Sequence, residues 1–115
     1  MALSEFEIAG VEKGLEGLMR KRRPQPSLRS QVDLRYRIVG QSVEIYEVRP
    51  DWRGLKDVWT ETPCAKATFV RSQDVWRVFW MRRDLKWHGY DPAQVKSIEQ
   101  FASLVDQDAY RCFFG

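Results

Sequence analysis

The sequence predicts an α+β fold, αββββα, in which a helix, a four-stranded antiparallel meander and a second helix form a two-layer sandwich. Apolar and polar residues alternate with a period of two over residues 32–48 and 64–81, and a short turn divides each stretch, which is typical of two β-hairpins. Helix-start signals followed by apolar residues at helical spacing flank these hairpins on both sides. We assign residues 1–115 to one α+β domain.

The first helix is predicted from Ser4 to near Arg22. Ser4 and Glu7 have the spacing of a capping box, in which each side chain accepts a hydrogen bond from the other residue's backbone N–H. Pro24 lacks a backbone donor and restricts the residue before it, so the helix ends there. The apolar stripe consists of Ile8, Val11, Leu15, Leu18 and Met19. Three glycines weaken this helix, so packing must stabilise it.

The first hairpin turns at Gly40 and Gln41. A two-residue turn fixes the register, because it makes Val39 the partner of Ser42. The pairs that follow are Ile38 with Val43, Tyr36 with Ile45, and Arg37 with Glu44. Apolar residues then face apolar residues, and opposite charges face each other.

The second hairpin turns at residues 71–74, "RSQD". The predicted pairs are Val70 with Val75, Phe69 with Trp76, Ala67 with Val78, and Ala65 with Trp80. Small residues thus face large ones, as a filled core requires. Together the hairpins predict a core face made of Val32, Leu34, Tyr36, Ile38, Val43, Ile45, Phe69, Trp76, Val78 and Trp80.

The chain between and after the hairpins is less regular. Residues 50–63 show no clear period and contain Trp52 and Trp59, whose exposure stays open. The second helix is expected to start at Asp91 and Pro92, with a further capping box at Ser97 and Gln100, and to end near Asp106. Its apolar stripe, Ile98, Phe101, Leu104 and Val105, faces the core, and we expect the tail "YRCFFG" to dock.

The charge of the chain is clustered. The formal net charge is +3, and residues 20–37 hold seven Lys or Arg against one acid, Asp33. Such a patch favours an anionic partner more than net charge alone does. The two cysteines have no paired spacing, and the sequence shows no secretory signal and no apolar run long enough for a bilayer. We therefore predict a soluble, cytoplasmic protein without a membrane partner.

Several stretches resemble a family of short bacterial proteins catalogued only as a domain of unknown function. They are "EFEI", "KRRP", "GQSVEIYEVRPDW", "AKATFVRSQDVWRVFW", "DLKWHGY" and the terminal "CFFG". The resemblance covers nearly the whole chain and implies a bacterial, single-domain protein. It implies no activity, ligand or catalytic residue.

The sequence offers little evidence for a metal site or for a nucleophilic catalytic pair. One histidine, His88, and two isolated cysteines do not form a recognised zinc spacing, so we predict no metal site and no cofactor. A Cys–His nucleophile pair stays open, but a buried structural cysteine is the more common case.

A metal-dependent nuclease is a third hypothesis. Asp33 and the segment Glu47–Arg49 resemble the nuclease arrangement of one acid followed by a second acid, any residue and a base, in which the two carboxylates bind one cation. In the predicted register, however, the carboxylates of Asp33 and Glu47 lie on opposite faces of the sheet and diverge unless a bulge intervenes. We therefore expect no catalytic residue here and consider the protein a non-catalytic binding module.

The face of the sheet opposite the core is the candidate binding surface. Cations interleave with rings there: Arg35, Arg37, Tyr46, Lys66, Arg77 and Phe79. Trp87, His88 and Tyr90 follow as an exposed tip, and Lys21, Arg22 and Arg23 extend the basic track. Cations neutralise phosphates and exposed rings stack on bases, so single-stranded nucleic acid is the expected ligand.

The same face also fits a protein-interaction or homodimer module. Val48, Val75 and Phe79 can be covered by a second copy, by the second helix or by the long loop. Arg37 beside Glu44 is then a solvated ladder of charges rather than a binding site.

Overall fold

The computed structural model describes residues 2–51 and 53–114, and the first helix lies where the sequence predicts it. Helix α1 (Glu5–Arg22) starts after Ser4, whose hydroxyl accepts the backbone N–H of Glu7 at 3.1 Å, while the Glu7 carboxylate accepts the N–H of Ser4 at 2.8 Å. Both halves of the predicted capping box therefore form. A short 3₁₀ turn (Pro26–Leu28) leads into the sheet.

Five antiparallel strands follow in the order of the chain, and a second helix comes after them. They are β1 (Asp33–Val39), β2 (Ser42–Pro50), β3 (Trp59–Val70), β4 (Val75–Met81) and β5 (Trp87–Val95), with helix α2 at Ile98–Gln107. Each strand pairs with the next, so the sheet is a simple meander. The fold is α+β as predicted, but with one strand more than predicted.

Both predicted hairpin registers are confirmed. Ile38 pairs with Val43 and Arg37 with Glu44 in the first hairpin, and the second pairs Phe69 with Trp76. The pairing between β2 and β3 is irregular after Ile45, because Ala65 faces Ile45 and Pro63 faces the next residue. Cys64 is thus the extra residue of a β-bulge.

The predicted start of the second helix at Asp91 and Pro92 is wrong. Both residues lie in β5, in the stretch between Gly89 and Gln94 where the pairing of this edge strand with β4 shifts register. An edge strand tolerates proline, since one side of its backbone needs no partner strand. Helix α2 begins instead at the second signal, where Ser97 Oγ accepts the N–H of Gln100 at 3.1 Å.

Helices α1 and α2 pack on the same face of the sheet. Leu15, Ile45 and Phe101 are fully buried in the shared core. Of the predicted core face, Leu34, Val43, Ile45, Trp76 and Val78 are buried, and Tyr36, Ile38, Phe69 and Trp80 are half-buried against them. Val32 is half-buried outside this cluster. Within the described residues, no helix is long and apolar enough to span a membrane.

The C-terminal tail docks on β5. Phe113 is buried and stacks on Tyr90 with ring centroids 4.6 Å apart. The Asp108 carboxylate accepts the N–H groups of Phe113 and Phe114 at 3.0 and 3.1 Å. Tyr90 is therefore only 6% exposed, and the expectation of an exposed Tyr90 is wrong, because the sequence does not show that the tail returns to cover it.

Candidate nucleic-acid interface

The face of the sheet opposite the helices, here called the open face, carries the predicted cations and rings. Cross-strand partners share a face, so the register assembles them in rows. One row runs Arg37, Glu44, Lys66 and Phe79, and an adjacent row holds Thr68 and Arg77. Arg35 pairs with Tyr46, and Trp87 pairs with Met81 at the edge.

Arg37 is held by carboxylates. Its guanidinium donates to Glu61 at 2.9 Å and to Glu44 at 3.4 Å, and its Cζ lies 4.4 Å from the centroid of the Tyr46 ring. Hydrogen bonding to Glu61 raises the pKa of Arg37. Arg37, Glu44 and Glu61 thus form the charge ladder that the sequence left as an alternative, and Tyr46 is buried beneath Arg37.

Arg35 and Arg23 converge on one buried carboxylate. Asp33 is 1% exposed and accepts Arg23 Nε and Nη2 at 2.8 and 3.0 Å and Arg35 Nε at 3.0 Å. The hydrogen bonds from Arg23 hold the pKa of Asp33 far below its usual range. This cluster fixes the end of α1 to the start of β1.

Lys21 and Arg22 connect the two helices. Lys21 Nζ lies 2.7 Å and Arg22 Nε 3.0 Å from the Asp106 carboxylate at the end of α2. Hydrogen bonds from Lys21 and, to a lesser extent, from Arg22 lower the pKa of Asp106. A cation paired with a carboxylate projects little positive potential beyond a few ångströms. Because Lys21 and Arg22 share the single Asp106 carboxylate, the cluster keeps one net positive charge while it links the two helices.

Lys66, Phe79 and Trp87 form a compact group, here called the lysine cage. Lys66 Nζ lies 5.0 Å from the Phe79 ring centroid and 4.9 Å from that of Trp87. Arg77 is exposed one row away, opposite Thr68. Within residues 2–51 and 53–114, no carboxylate oxygen lies within 4.0 Å of the charged nitrogens of Lys66 or Arg77.

His88 does not belong to the open face. It pairs with Trp80, whereas its neighbour Trp87 pairs with Met81, so the two side chains point to opposite faces. His88 Nε2 lies 2.9 Å from the Asp84 carboxylate, and this contact lowers the pKa of Asp84. Arg82 stacks over Trp80 on this other side. The predicted tip is thus divided between two faces.

The geometry required by the nuclease hypothesis is absent. Asp33 pairs with Val48 and Glu47 with Leu34, so the two carboxylates diverge. Glu47 is paired with Arg49 at 3.2 Å. In the part of the chain that the structure describes, no three His, Cys, Asp or Glu side chains are placed to hold a metal ion.

Cys64 has the environment of a structural cysteine. It is buried, and its sulfur donates to the Thr62 carbonyl at 3.4 Å. Burial, followed by the nearby Glu47 charge, raises the pKa of the Cys64 thiol to about 12. A nucleophilic cysteine needs the opposite shift, because the thiolate is the reactive form.

The comparison with protein families matches residues 3–115 to a family described as a domain of unknown function, DUF3024. The chain belongs to this family. No curated protein and no solved structure gives a significant match. Membership in the DUF3024 family brings no activity with it, so the function of this member has to be argued from its own surface.

The sequence predicted the members of the open face and the Arg37–Glu44 pair, but not the carboxylates that come from more distant positions. Glu61 and Asp106, which hold Arg37 and the Lys21–Arg22 pair, are missing from the predicted surface. Glu61 lies in a stretch without clear periodicity, and Asp106 lies 85 residues from Lys21. Sequence signals existed for the pairs within a hairpin, because the registers already place Arg37 opposite Glu44 and Lys66 opposite Phe79.

Proposed function

We propose that this DUF3024 protein is a non-catalytic module that binds single-stranded nucleic acid on the open face, centred on the lysine cage and Arg77. The observation that carries the proposal is the contrast among the cations. Lys21, Arg22, Arg23, Arg35 and Arg37 each contact a carboxylate. Lys66, which lies beside Phe79 and Trp87, and Arg77, one row away, have none within 4.0 Å in the described residues.

The chemistry of this group suits an unpaired strand. Lys66 and Arg77 neutralise phosphates and release their counterions, while a ring stacks on any base through its π-face. Bases are accessible for stacking only when they are unpaired. Binding is therefore expected to be salt-dependent, tolerant of sequence and weaker for duplex.

The charge requirement is tested by fluorescence anisotropy with a labelled single-stranded oligonucleotide at several salt concentrations. Arg77→Gln and Lys66→Gln should each weaken binding and reduce the salt slope by about 0.7, the value for one phosphate contact on a single strand. Arg20→Gln is the matched control, because Arg20 is exposed but paired with Glu16 at 2.7 Å.

Stacking is tested separately with Trp87→Leu. Loss of a base–ring stack should cost about 1–3 kcal/mol of binding free energy with the salt slope unchanged. Absence of wild-type binding at low salt overturns the proposal. Equal effects of Arg20→Gln and Arg77→Gln also overturn it, since binding would then depend on net charge alone.

A homodimer through Val48, Val75 and Phe79 is the alternative and stays a prediction. Val48 and Val75 are only 5% and 8% exposed within a single chain, whereas Phe79 is half-buried. The two valines therefore offer a second copy little apolar area, which favours the nucleic-acid proposal over a dimer on this face.

A further inference from the structure

An apolar groove of about 300 Å³ lies between the first turns of both helices and the β3–β4 turn. Three rings and three carboxylates line it, namely Phe6, Phe69, Trp76, Glu7, Asp74 and Glu99. Arg71 is the cation at its rim and is paired with Glu7 at 2.6 Å. Asp74 and Glu99 have no cation within 4.0 Å in the described residues. The groove thus combines an apolar floor with two uncompensated negative charges.

The β4–β5 turn has the complementary character. Leu85 is 80% exposed at its tip with a left-handed backbone, φ +60°. Arg82, Arg83 and Lys86 surround it, against one carboxylate, Asp84, that accepts the Lys86 N–H and contacts His88. Three cations and one anion leave two positive charges next to one exposed leucine.

The two features lie at opposite ends of β4. Asp74 precedes this strand and Arg82 follows it, a separation of about 25 Å at the usual rise of a β-strand. The turn therefore cannot reach the groove of its own chain. A second copy can bring its turn there, with Leu85 on the rings and Arg82 and Arg83 beside the free carboxylates.

We propose that this protein associates head-to-tail with copies of itself, the β4–β5 turn of one copy seated in the groove of the next. Each copy then keeps one free turn and one free groove, so the contact is heterologous and builds rings or open chains rather than a closed symmetric pair. The inference uses surfaces other than the open face and does not rest on nucleic-acid binding.

Sedimentation velocity of the purified full chain without nucleic acid tests this association. At low salt the average mass should rise above 13.6 kDa with protein concentration, and added salt should reverse the rise. Leu85→Asn removes the apolar tip while keeping a residue that accepts the left-handed backbone, and should weaken association at least about tenfold. Leu55→Asn, at another exposed loop leucine, is the control and should have no effect.

A mixing experiment tests the head-to-tail arrangement. Asp74→Asn/Glu99→Gln keeps the turn and neutralises the groove, and Leu85→Asn keeps the groove, so each variant alone should be monomeric at concentrations where the wild type has just associated. Their mixture should form a dimer of one copy of each that grows no further. A monomeric wild type at every concentration overturns the proposal, as does association that survives either variant or a mixture that stays monomeric.

Discussion

Asp33 accepts both Nε and Nη2 of Arg23, at 2.8 and 3.0 Å, at the point where the chain passes from α1 to the sheet. The same carboxylate also accepts Arg35 Nε at 3.0 Å and the backbone N–H of Leu34 at 2.9 Å. All four contacts come from groups near the β1 edge of the sheet. We infer that Asp33 is a structural residue that locks the orientation of α1.

Replacing Asp33 should therefore destabilise the fold. Asp33→Asn leaves two guanidinium groups without their anion and is expected to lower the free energy of unfolding by roughly 2–4 kcal/mol. Urea unfolding followed by circular dichroism measures the change. Asp57→Asn is the control, since Asp57 is exposed and asparagine accepts its positive φ. If Asp33→Asn lowers the free energy of unfolding no more than Asp57→Asn does, the structural role of Asp33 is contradicted.

The same residue predicts how stability depends on pH. The pKa of Asp33 is lowered in the folded chain, chiefly by the hydrogen bonds from Arg23, whereas an unfolded aspartate titrates near about 3.9. The stabilising contribution is thus complete at neutral pH and is lost as the pH falls below about 5. Unfolding free energies measured from about pH 7 to about pH 3 should fall more steeply for wild type than for Asp33→Asn. Parallel curves would contradict this.

Two glycines of α1 should respond in opposite directions to alanine. A Cβ at Gly14 would lie 2.4 Å from Ile98 Cγ2 and 3.1 Å from Ile98 Cβ, whereas a Cβ at Gly17 meets nothing within 4 Å. Gly14→Ala should lower the free energy of unfolding by about 1–3 kcal/mol, because Ile98 is buried and stiff. Gly17→Ala should raise it by up to about 1 kcal/mol through helix propensity. Equal shifts in denaturation midpoint would exclude a close approach of α2 at Gly14.

The two cysteines should differ in reactivity. Cys112 is half-buried, while Cys64 is buried with its thiol pKa raised to about 12. A thiol reagent at mildly alkaline pH should label Cys112 in the folded protein and Cys64 only when the chain unfolds. Cys64→Ala should remove the slow phase alone. Two phases of equal rate would contradict the burial of Cys64.

Local patterns determined much of this fold. The capping box of α1 and the registers of the first two hairpins follow from residues close in sequence, because a turn and a period of two fix which side chains face each other. The fifth strand was missed, since Gly89 and Pro92 are poor strand formers. Gly89 pairs with Phe79 only once β4 lies beside it, and Pro92 lies where the register of that pairing shifts.

The tertiary structure alone decided which charges are available. The sequence places Lys21, Arg22 and Arg37 in a basic track, but Asp106 and Glu61 come from distant positions and pair with them. Arg37 is thereby neutralised, whereas Lys21 and Arg22 share one carboxylate. The same holds for the valines of the open face and for Tyr90, whose burial depends on neighbours brought in by the fold. Alternation in the sequence predicts which face of the sheet a side chain lies on. The residues that pair with that side chain or bury it come from distant parts of the chain, so no local pattern predicts them.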